Sequence, residues 1–141
     1  HLNLAERPAY LFVYGTLMFS DLFAAVCGVK RQLVPATLFG YARYVVRDEA
    51  YPAIVAAPTS TTEGYLAGSI TPPMWQRLDD FETDLYAPDH VPVVCADGRT
   101  ELAVTYVIAG PHQTALTDCD WCADEFSREH LAGYLAAADE L

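Results

Sequence analysis

An apolar run at Tyr10–Tyr14 stops abruptly at Gly15 and gives way to Thr16-Leu17-Met18. Successive aromatic and branched side chains suit a strand buried on both faces. Glycine permits a positive φ or the close approach of a ligand to the backbone. Ser20 is then placed to cap a short helix. The inner face of that helix would consist of Leu22, Phe23, Val26 and Cys27.

The loop between this strand and this helix, residues 14–17, is a candidate anion site. The main-chain N–H groups of Gly15, Thr16 and Leu17 would have left the strand ladder without yet being used by the helix. Grouped free N–H groups attract a carboxylate or a developing oxyanion. An ordinary strand-to-helix turn would require the same glycine, and both interpretations stay open.

A second informative segment begins at Thr71-Pro72-Pro73, which is a strong helix start because threonine can cap and proline suits the first turn. The spacing predicts a helix over 72–82 with Met74, Trp75, Leu78 and Phe81 on one apolar arc. Glu82 falls within that arc. A carboxylate there must be paired, must reach water at the helix end, or must be held for chemistry.

The other segments read mainly as strands. Predicted strands cover residues 10–14, 32–47 with a bulge at Gly40, 51–55, 63–70, 86–95 and 100–109. Asp97-Gly98 would turn the last hairpin, Pro88 and Pro92 indicate an edge strand, and residues 58–62 would form a polar loop. A closing helix with Ser127 as its cap follows. We predict one α+β domain over 1–141, with a largely antiparallel, possibly closed sheet of about six strands.

Composition narrows the possible partners. The chain has 141 residues, 52% of them hydrophobic, which is enough for a substantial core. The excess of 19 acidic over 8 basic residues, a net charge of −11, disfavours nucleic acid and anionic membranes. No apolar stretch approaches the length of a membrane span, and no secretory signal pattern is found. A cytoplasmic location, as a monomer or small homo-oligomer, is expected.

Four cysteines are scattered through the chain, and Cys119 and Cys122 form a C-x-x-C pair. No second pair completes a zinc site, and the pair follows a loop, unlike a redox motif, which closely follows a strand. We expect a loop disulfide or two unrelated thiols, and no metal or other cofactor. Cys27 is a weak candidate nucleophile because no histidine is placed near it.

Taken together, Phe12-Val13-Tyr14-Gly15-Thr16-Leu17, Tyr51-Pro52-Ala53, Leu78-Asp79-Asp80-Phe81-Glu82 and Tyr86 resemble the gamma-glutamylcyclotransferase-like, or AIG2-like, family. Both their order and their spacing match, over roughly residues 10–110. The resemblance implies a small β-barrel with flanking helices and a cavity at the Tyr14–Leu17 loop. It departs at Thr83 and Pro88, where the family usually carries glycine and a basic residue.

The resemblance also implies an activity. Family members release 5-oxoproline from a γ-glutamyl amide without a cofactor, the loop backbone holding the γ-glutamyl group and the glutamate, here Glu82, acting as acid and base. The implied substrate-binding residues are Tyr14, Gly15, Thr16, Leu17, Tyr51, Pro52, Tyr86 and Tyr106. Tyr106 could equally be a core aromatic. A barrel of the same fold could also be a non-catalytic module for small-molecule binding or assembly, and Glu82 distinguishes the two hypotheses.

Overall fold

A computed structural model describes residues 6–138 of the chain. The prediction of one domain over 1–141 extends beyond these residues and stays a prediction. The strands are β1 (Leu11–Val13), β2 (Leu33–Val45), β3 (Pro52–Ala67), β4 (Tyr86–Cys95) and β5 (Thr100–Ile108). The helices are α1 (Ser20–Cys27), α2 (Pro72–Glu82), α3 (Ala123–Glu129) and α4 (Leu131–Ala138). Short 3₁₀ turns cover Thr16–Met18, Thr83–Leu85 and Gly110–Ala115.

The five strands form a closed barrel in the order β1-β3-β2-β4-β5. All neighbours are antiparallel except β1 and β5, whose parallel pairing closes the barrel at Leu11 and Val104. The predicted α+β fold with a closed, largely antiparallel sheet is therefore confirmed.

The strand count is five because two predicted strands are one. The predicted loop at residues 58–62 lies within β3, which runs on without a break. Its pairing with β2 moves from Thr61 opposite Phe39 to Ala56 opposite Tyr41, so residues 57–60 face Gly40 as a bulge. Gly40, the β2 residue opposite this bulge of β3, has φ 88°, a conformation that glycine adopts without steric cost. The polar residues thus mark a bulge, and the loop prediction was wrong.

Strand β1 is buried on both faces, as its composition predicts. Phe12 packs inside the barrel in a cluster of side chains from the strands and from Tyr10 and Tyr14, the two residues that flank β1. Leu11 and Val13 point outward into a second cluster, which they share with α1, α2 and α4. The second cluster includes all four predicted inner-face residues of α1, Leu22, Phe23, Val26 and Cys27.

The helix starts differ from the predicted caps. Residue Ser20 is the first residue of α1 rather than its cap, and Phe19 precedes the helix without a side-chain hydrogen bond. Thr71 does precede α2, but its main-chain oxygen accepts from the Trp75 N–H at 3.0 Å and its hydroxyl caps nothing. The predicted closing helix is two helices that meet at His130, with Ser127 inside α3.

The β4–β5 hairpin turns at Asp97-Gly98 as predicted, with Gly98 at φ 88°. Strand β4 is not a free edge, because Ala36 and Thr37 of β2 pair with its last two residues. The segment that carries Pro88 and Pro92 pairs with β5 alone. The prolines therefore lie in the part of β4 that does not pair with β2.

Gly64 of β3 provides a stability test, because a Cβ atom there would overlap the main-chain oxygen of Val13 and lie 2.8 Å from Phe12 Cζ. We expect Gly64→Ala to lower the free energy of unfolding by about 2 kcal/mol. The control is Gly133→Ala in α4, where the added methyl meets no atom within 4 Å. That change should raise stability by about 0.5 kcal/mol through helix propensity. Urea unfolding measures both, and equal effects would contradict the close approach of β1 and β3.

Candidate functional site

A narrow recess of about 40 Å³ opens where β1 leaves the barrel. All nine predicted site residues line it, together with three residues of β1. The lining consists of Leu11, Phe12, Val13, Tyr14, Gly15, Thr16, Leu17, Tyr51, Pro52, Glu82, Tyr86 and Tyr106. Residues from five separate segments of the chain therefore converge on one small space, which we call the inner recess.

A larger space of about 250 Å³ adjoins the inner recess, and we call it the outer chamber. The two share the lining residues Thr16, Tyr51, Glu82 and Tyr86. The outer chamber alone is lined by Phe81, Thr83, Leu85 and Tyr134. Glu82 therefore lies at the boundary of the two spaces.

The Tyr14–Leu17 loop is shaped by a close packing contact. Gly15 has φ −131°, so a positive φ is not the reason for a glycine at this position. A Cβ atom at Gly15 would instead lie 2.8 Å from Pro52 Cγ, which means that only glycine lets the two segments meet. Among residues 6–138, the N–H groups of Gly15, Thr16 and Leu17 form no main-chain hydrogen bond. These amides border the inner recess.

Arg43 of β2 holds the same loop from outside the recess. Its Nη1 donates to the main-chain oxygen of Tyr14 at 2.8 Å and to that of Glu63 at 3.2 Å. The guanidinium also lies over the Trp121 ring, 5.5 Å from its centroid. Because the Tyr14 carbonyl and the Gly15 N–H belong to one peptide group, a cation at the carbonyl polarises the N–H.

Three of the four site tyrosines use their hydroxyls as structural ties. Tyr14 donates to the main-chain oxygen of Tyr106, and Tyr86 donates to that of Pro52, both at 2.6 Å. Tyr106 donates to Asp79 Oδ1, also at 2.6 Å. Burial raises the pKa of each of these three phenols. They therefore stay neutral and position backbone and carboxylate around the recess.

Glu82 ends α2 with its carboxyl in the recess, as its helical phase predicts. The structure places it after Leu78, which is fully buried, and next to Phe81, which is partly buried. Burial raises the pKa of Glu82 to about 8, and the negative charge of Asp79 adds to the shift. A carboxyl with this pKa exchanges protons readily near neutral pH.

Asp79 lies one helical turn before Glu82 and belongs to a charged network. Arg7 forms a two-pronged ion pair with its carboxylate, at 2.9 Å to Oδ1 and 3.0 Å to Oδ2. The Arg7 side chain is almost fully buried and lies over the Trp75 ring, 5.1 Å from its centroid. The network of Arg7, Asp79 and Tyr106 thus fixes a compensated negative charge directly behind Glu82.

Thr83, which follows Glu82, has φ 62°, a conformation that a β-branched residue rarely adopts. The resemblance predicts glycine at this position, and the structure keeps the turn while carrying threonine. Backbone strain of this kind costs on the order of 1–3 kcal/mol. The chain therefore retains the turn that presents Glu82 at the expense of local stability.

The cysteines form no disulfide. All four are free thiols, with Cys119 and Cys122 exposed, so of the two expected alternatives the structure shows unrelated thiols. Burial raises the pKa of Cys27 to about 12, which opposes a nucleophilic role. Residues 6–138 hold no group of three or more His, Cys, Asp or Glu suited to a metal ion. No helix in the same part of the chain could span a membrane.

Four residues of the site were not predicted: Arg7, Arg43, Asp79 and Tyr134. Asp79 carried a signal, because its spacing of three from Glu82 places the two on one side of a helix. Arg43 was a charge among apolar strand residues. Arg7 is 72 positions from its partner, and no local pattern connects them. Tyr134 was placed correctly on a closing helix, but nothing in the sequence brought that helix to the site.

Several known proteins resemble this chain in sequence or in fold. A family described as Gamma-glutamyl cyclotransferase, AIG2-like matches residues 11–123. AIG2-like protein D of Arabidopsis thaliana is 30% identical over 132 residues, which cover 92% of this chain and 86% of the relative. A similar fold is found in the solution structure of an Arabidopsis thaliana protein, with 23% identity, a TM-score of 0.71 and coverage of 93% of this chain and 79% of that one.

Two further structures share the fold at low identity. A gamma-glutamyl cyclotransferase has a TM-score of 0.62 and 13% identity, over 71% of this chain and 66% of that one. A yeast gamma-glutamyl cyclotransferase specific to glutathione has a TM-score of 0.58 and 13% identity, over 96% and 95%. From the extent of the family match and the identity to the plant relative, the chain belongs to the gamma-glutamyl cyclotransferase, AIG2-like family.

Proposed function

We propose that this protein is an enzyme that releases 5-oxoproline and a free amine from a γ-glutamyl amide. The observation that supports it most is the shared position of two groups. The Glu82 carboxyl, with its raised pKa, and the amides of the Tyr14–Leu17 loop line the same inner recess. One group can carry protons and the other can hold a developing negative charge.

The reaction needs no nucleophile from the protein. The α-nitrogen of the substrate attacks its own γ-carbonyl carbon, the bond that closes the five-membered lactam forms, and the bond to the departing nitrogen breaks. The α-nitrogen starts as an ammonium and loses two protons, and the departing nitrogen gains two and leaves as an ammonium. No net proton is consumed, so a single carboxyl that accepts and returns protons suffices.

The residues of the recess take distinct roles in this proposal. Glu82 removes a proton from the α-ammonium and delivers one to the leaving nitrogen. The N–H groups of Gly15, Thr16 and Leu17 hold the oxygen of the tetrahedral intermediate or the substrate carboxylate. Tyr51 and Pro52 form the wall that keeps the γ-glutamyl chain bent toward its own carbonyl.

Replacement of Glu82 by glutamine tests the proposal. Glu82→Gln keeps the size of the side chain but cannot transfer protons, so turnover of a γ-glutamyl amide should fall by about 10² to 10⁴. The variant should still bind 5-oxoproline. Release of 5-oxoproline from a panel of γ-glutamyl dipeptides and amines measures turnover, and calorimetry measures binding. Glu125→Gln, an exposed glutamate outside the recess, is the matched control.

The outcomes separate the competing hypotheses. Full turnover by Glu82→Gln on a substrate of the parent protein would contradict the role of Glu82. Binding of γ-glutamyl compounds by a parent protein that cyclises none of them would favour the non-catalytic module.

The stability of the same variant follows from the raised pKa. The carboxyl becomes costly as pH rises from its ordinary pKa of 4.5 toward about 8, because the folded protein resists the charged form. We therefore expect Glu82→Gln to melt at the same temperature as the parent at pH 4 and at a higher temperature at pH 8. A lower melting temperature at pH 8 would indicate that Glu82 is a stabilising, paired carboxylate.

The charge of Asp79, one turn before Glu82, leads to a prediction about the pH dependence of kcat/KM. Proton removal from the substrate needs the Glu82 carboxylate, so kcat/KM should rise as pH passes through its pKa. Asp79→Asn removes a negative charge that raises this pKa and leaves the Arg7 cation nearby, so the rising limb should move to lower pH. The phenols around Glu82 belong to Tyr14, Tyr51, Tyr86 and Tyr106 and are neutral in this range.

The control for this shift is Asp80→Asn, which removes an exposed charge at the next position of α2. The rising part of the kcat/KM pH profile of Asp80→Asn should coincide with that of the parent protein. A limb that stays in place in Asp79→Asn, or moves to higher pH, would show that Asp79 does not set the pKa of Glu82. Loss of the partner of the buried Arg7 side chain should also destabilise Asp79→Asn, so both variants are compared well below their melting temperatures.

A further inference from the structure

The outer chamber has a chemistry that the proposed reaction leaves unexplained. Glu82 stands at its boundary with the inner recess, and the departing nitrogen must lie next to Glu82 to receive a proton. If the γ-glutamyl group occupies the recess side of Glu82, the substituent on the departing nitrogen extends to the other side. That side is the outer chamber, with a volume of about 250 Å³.

The walls of the outer chamber are largely aromatic and apolar. Phe81 and Leu85 line it from the end of α2 and the following turn, and Tyr134 lines it from α4. Tyr51 and Tyr86 complete the aromatic lining, with ring centroids 6.5 Å apart. The two rings are tilted by 51° and present an aromatic wall to the chamber, against which an apolar ring can pack by edge or face contacts.

Within the described residues 6–138, no basic side chain lines the outer chamber or the inner recess. Arg77 lines the neighbouring groove with Phe81 and Tyr134, and its guanidinium lies against Gly28. Arg7 is committed to Asp79. A carboxylate on the departing amine would therefore enter an apolar space without a cation, beside Glu82, in a chain of net charge −11.

We propose that the outer chamber selects γ-glutamyl amides of arylalkyl amines that carry no carboxylate over amides of amino acids and peptides. This inference rests on the proposed function and specifies its substrate class. The yeast cyclotransferase is specific to glutathione, whose departing half carries a carboxylate. We expect the outer chamber of this protein to disfavour that group.

Three matched substrates test the proposal: γ-glutamyl-phenethylamide, γ-glutamyl-phenylalanine and γ-glutamyl-ethylamide. The second adds only a carboxylate to the first, and the third lacks only the ring. We expect kcat/KM for the phenethylamide to exceed each of the others by about tenfold or more, because the ring is buried and the carboxylate is uncompensated. Equal or higher kcat/KM for the phenylalanine compound would overturn the selection against charge. Equal kcat/KM for the ethylamide would overturn the aromatic preference.

Variants at Tyr134 locate the selection. Tyr134→Ala should reduce the phenethylamide-to-ethylamide ratio severalfold, while Leu135→Ala, in the same helix but outside the chamber lining, should preserve it. Tyr134→Arg supplies the missing cation and should raise kcat/KM for γ-glutamyl-phenylalanine relative to the phenethylamide. Ratios that are unchanged in both Tyr134 variants would contradict the assignment of this chamber.

A binding measurement separates failure of the chamber from failure of the reaction. Calorimetry of Glu82→Gln with the same three compounds ranks their affinities without turnover. If the parent cyclises none of them, the proposed function is overturned, and the affinity order still decides the chamber. If the parent cyclises all three with the same efficiency and the variant binds them equally, the reaction stands and this inference is wrong.

Discussion

Strand β1 is three residues long, yet it pairs with β3 on one side and β5 on the other and so closes the barrel. Its side chains enter both hydrophobic clusters, one inside the barrel and one under the helices. Such a strand cannot shift by one residue without exchanging its two faces. The register of β1 therefore also sets where the Tyr14–Leu17 loop and its amides lie.

Elements defined by local patterns were predicted well. The bounds of α2 follow from the Thr-Pro-Pro start and the apolar arc, and the phase of that arc also placed Glu82 on the inner side. Residues 58–62 misled because polar composition is shared by loops and by bulged strands, and only the partner strand distinguishes them. The cap at Ser20 failed because a hydrophobic residue, Phe19, packs against Phe126 and positions the helix start instead.

Some features of the site could also be predicted from the sequence, and others could not. The nine predicted residues line one recess, and it was the family resemblance that allowed them to be grouped from the sequence. Their roles stay predictions. The interactions that tune the site depend on distant pairs, such as Arg7 with Asp79, whose proximity exists only after folding. The contact of Arg43 could not be predicted for a similar reason. Its guanidinium donates to the main-chain oxygen of residue 14, an acceptor that any amino acid at that position would provide.

The family match spans residues 11–123, while two contributors to the site lie outside it. Arg7 neutralises the carboxylate behind Glu82, and Tyr134 forms one wall of the outer chamber. A fragment trimmed to the matched boundaries would keep every barrel strand and the Glu82 side chain. It would nevertheless carry an uncompensated charge at Asp79 and an open chamber, so the family match is shorter than the stretch of chain that forms the candidate site.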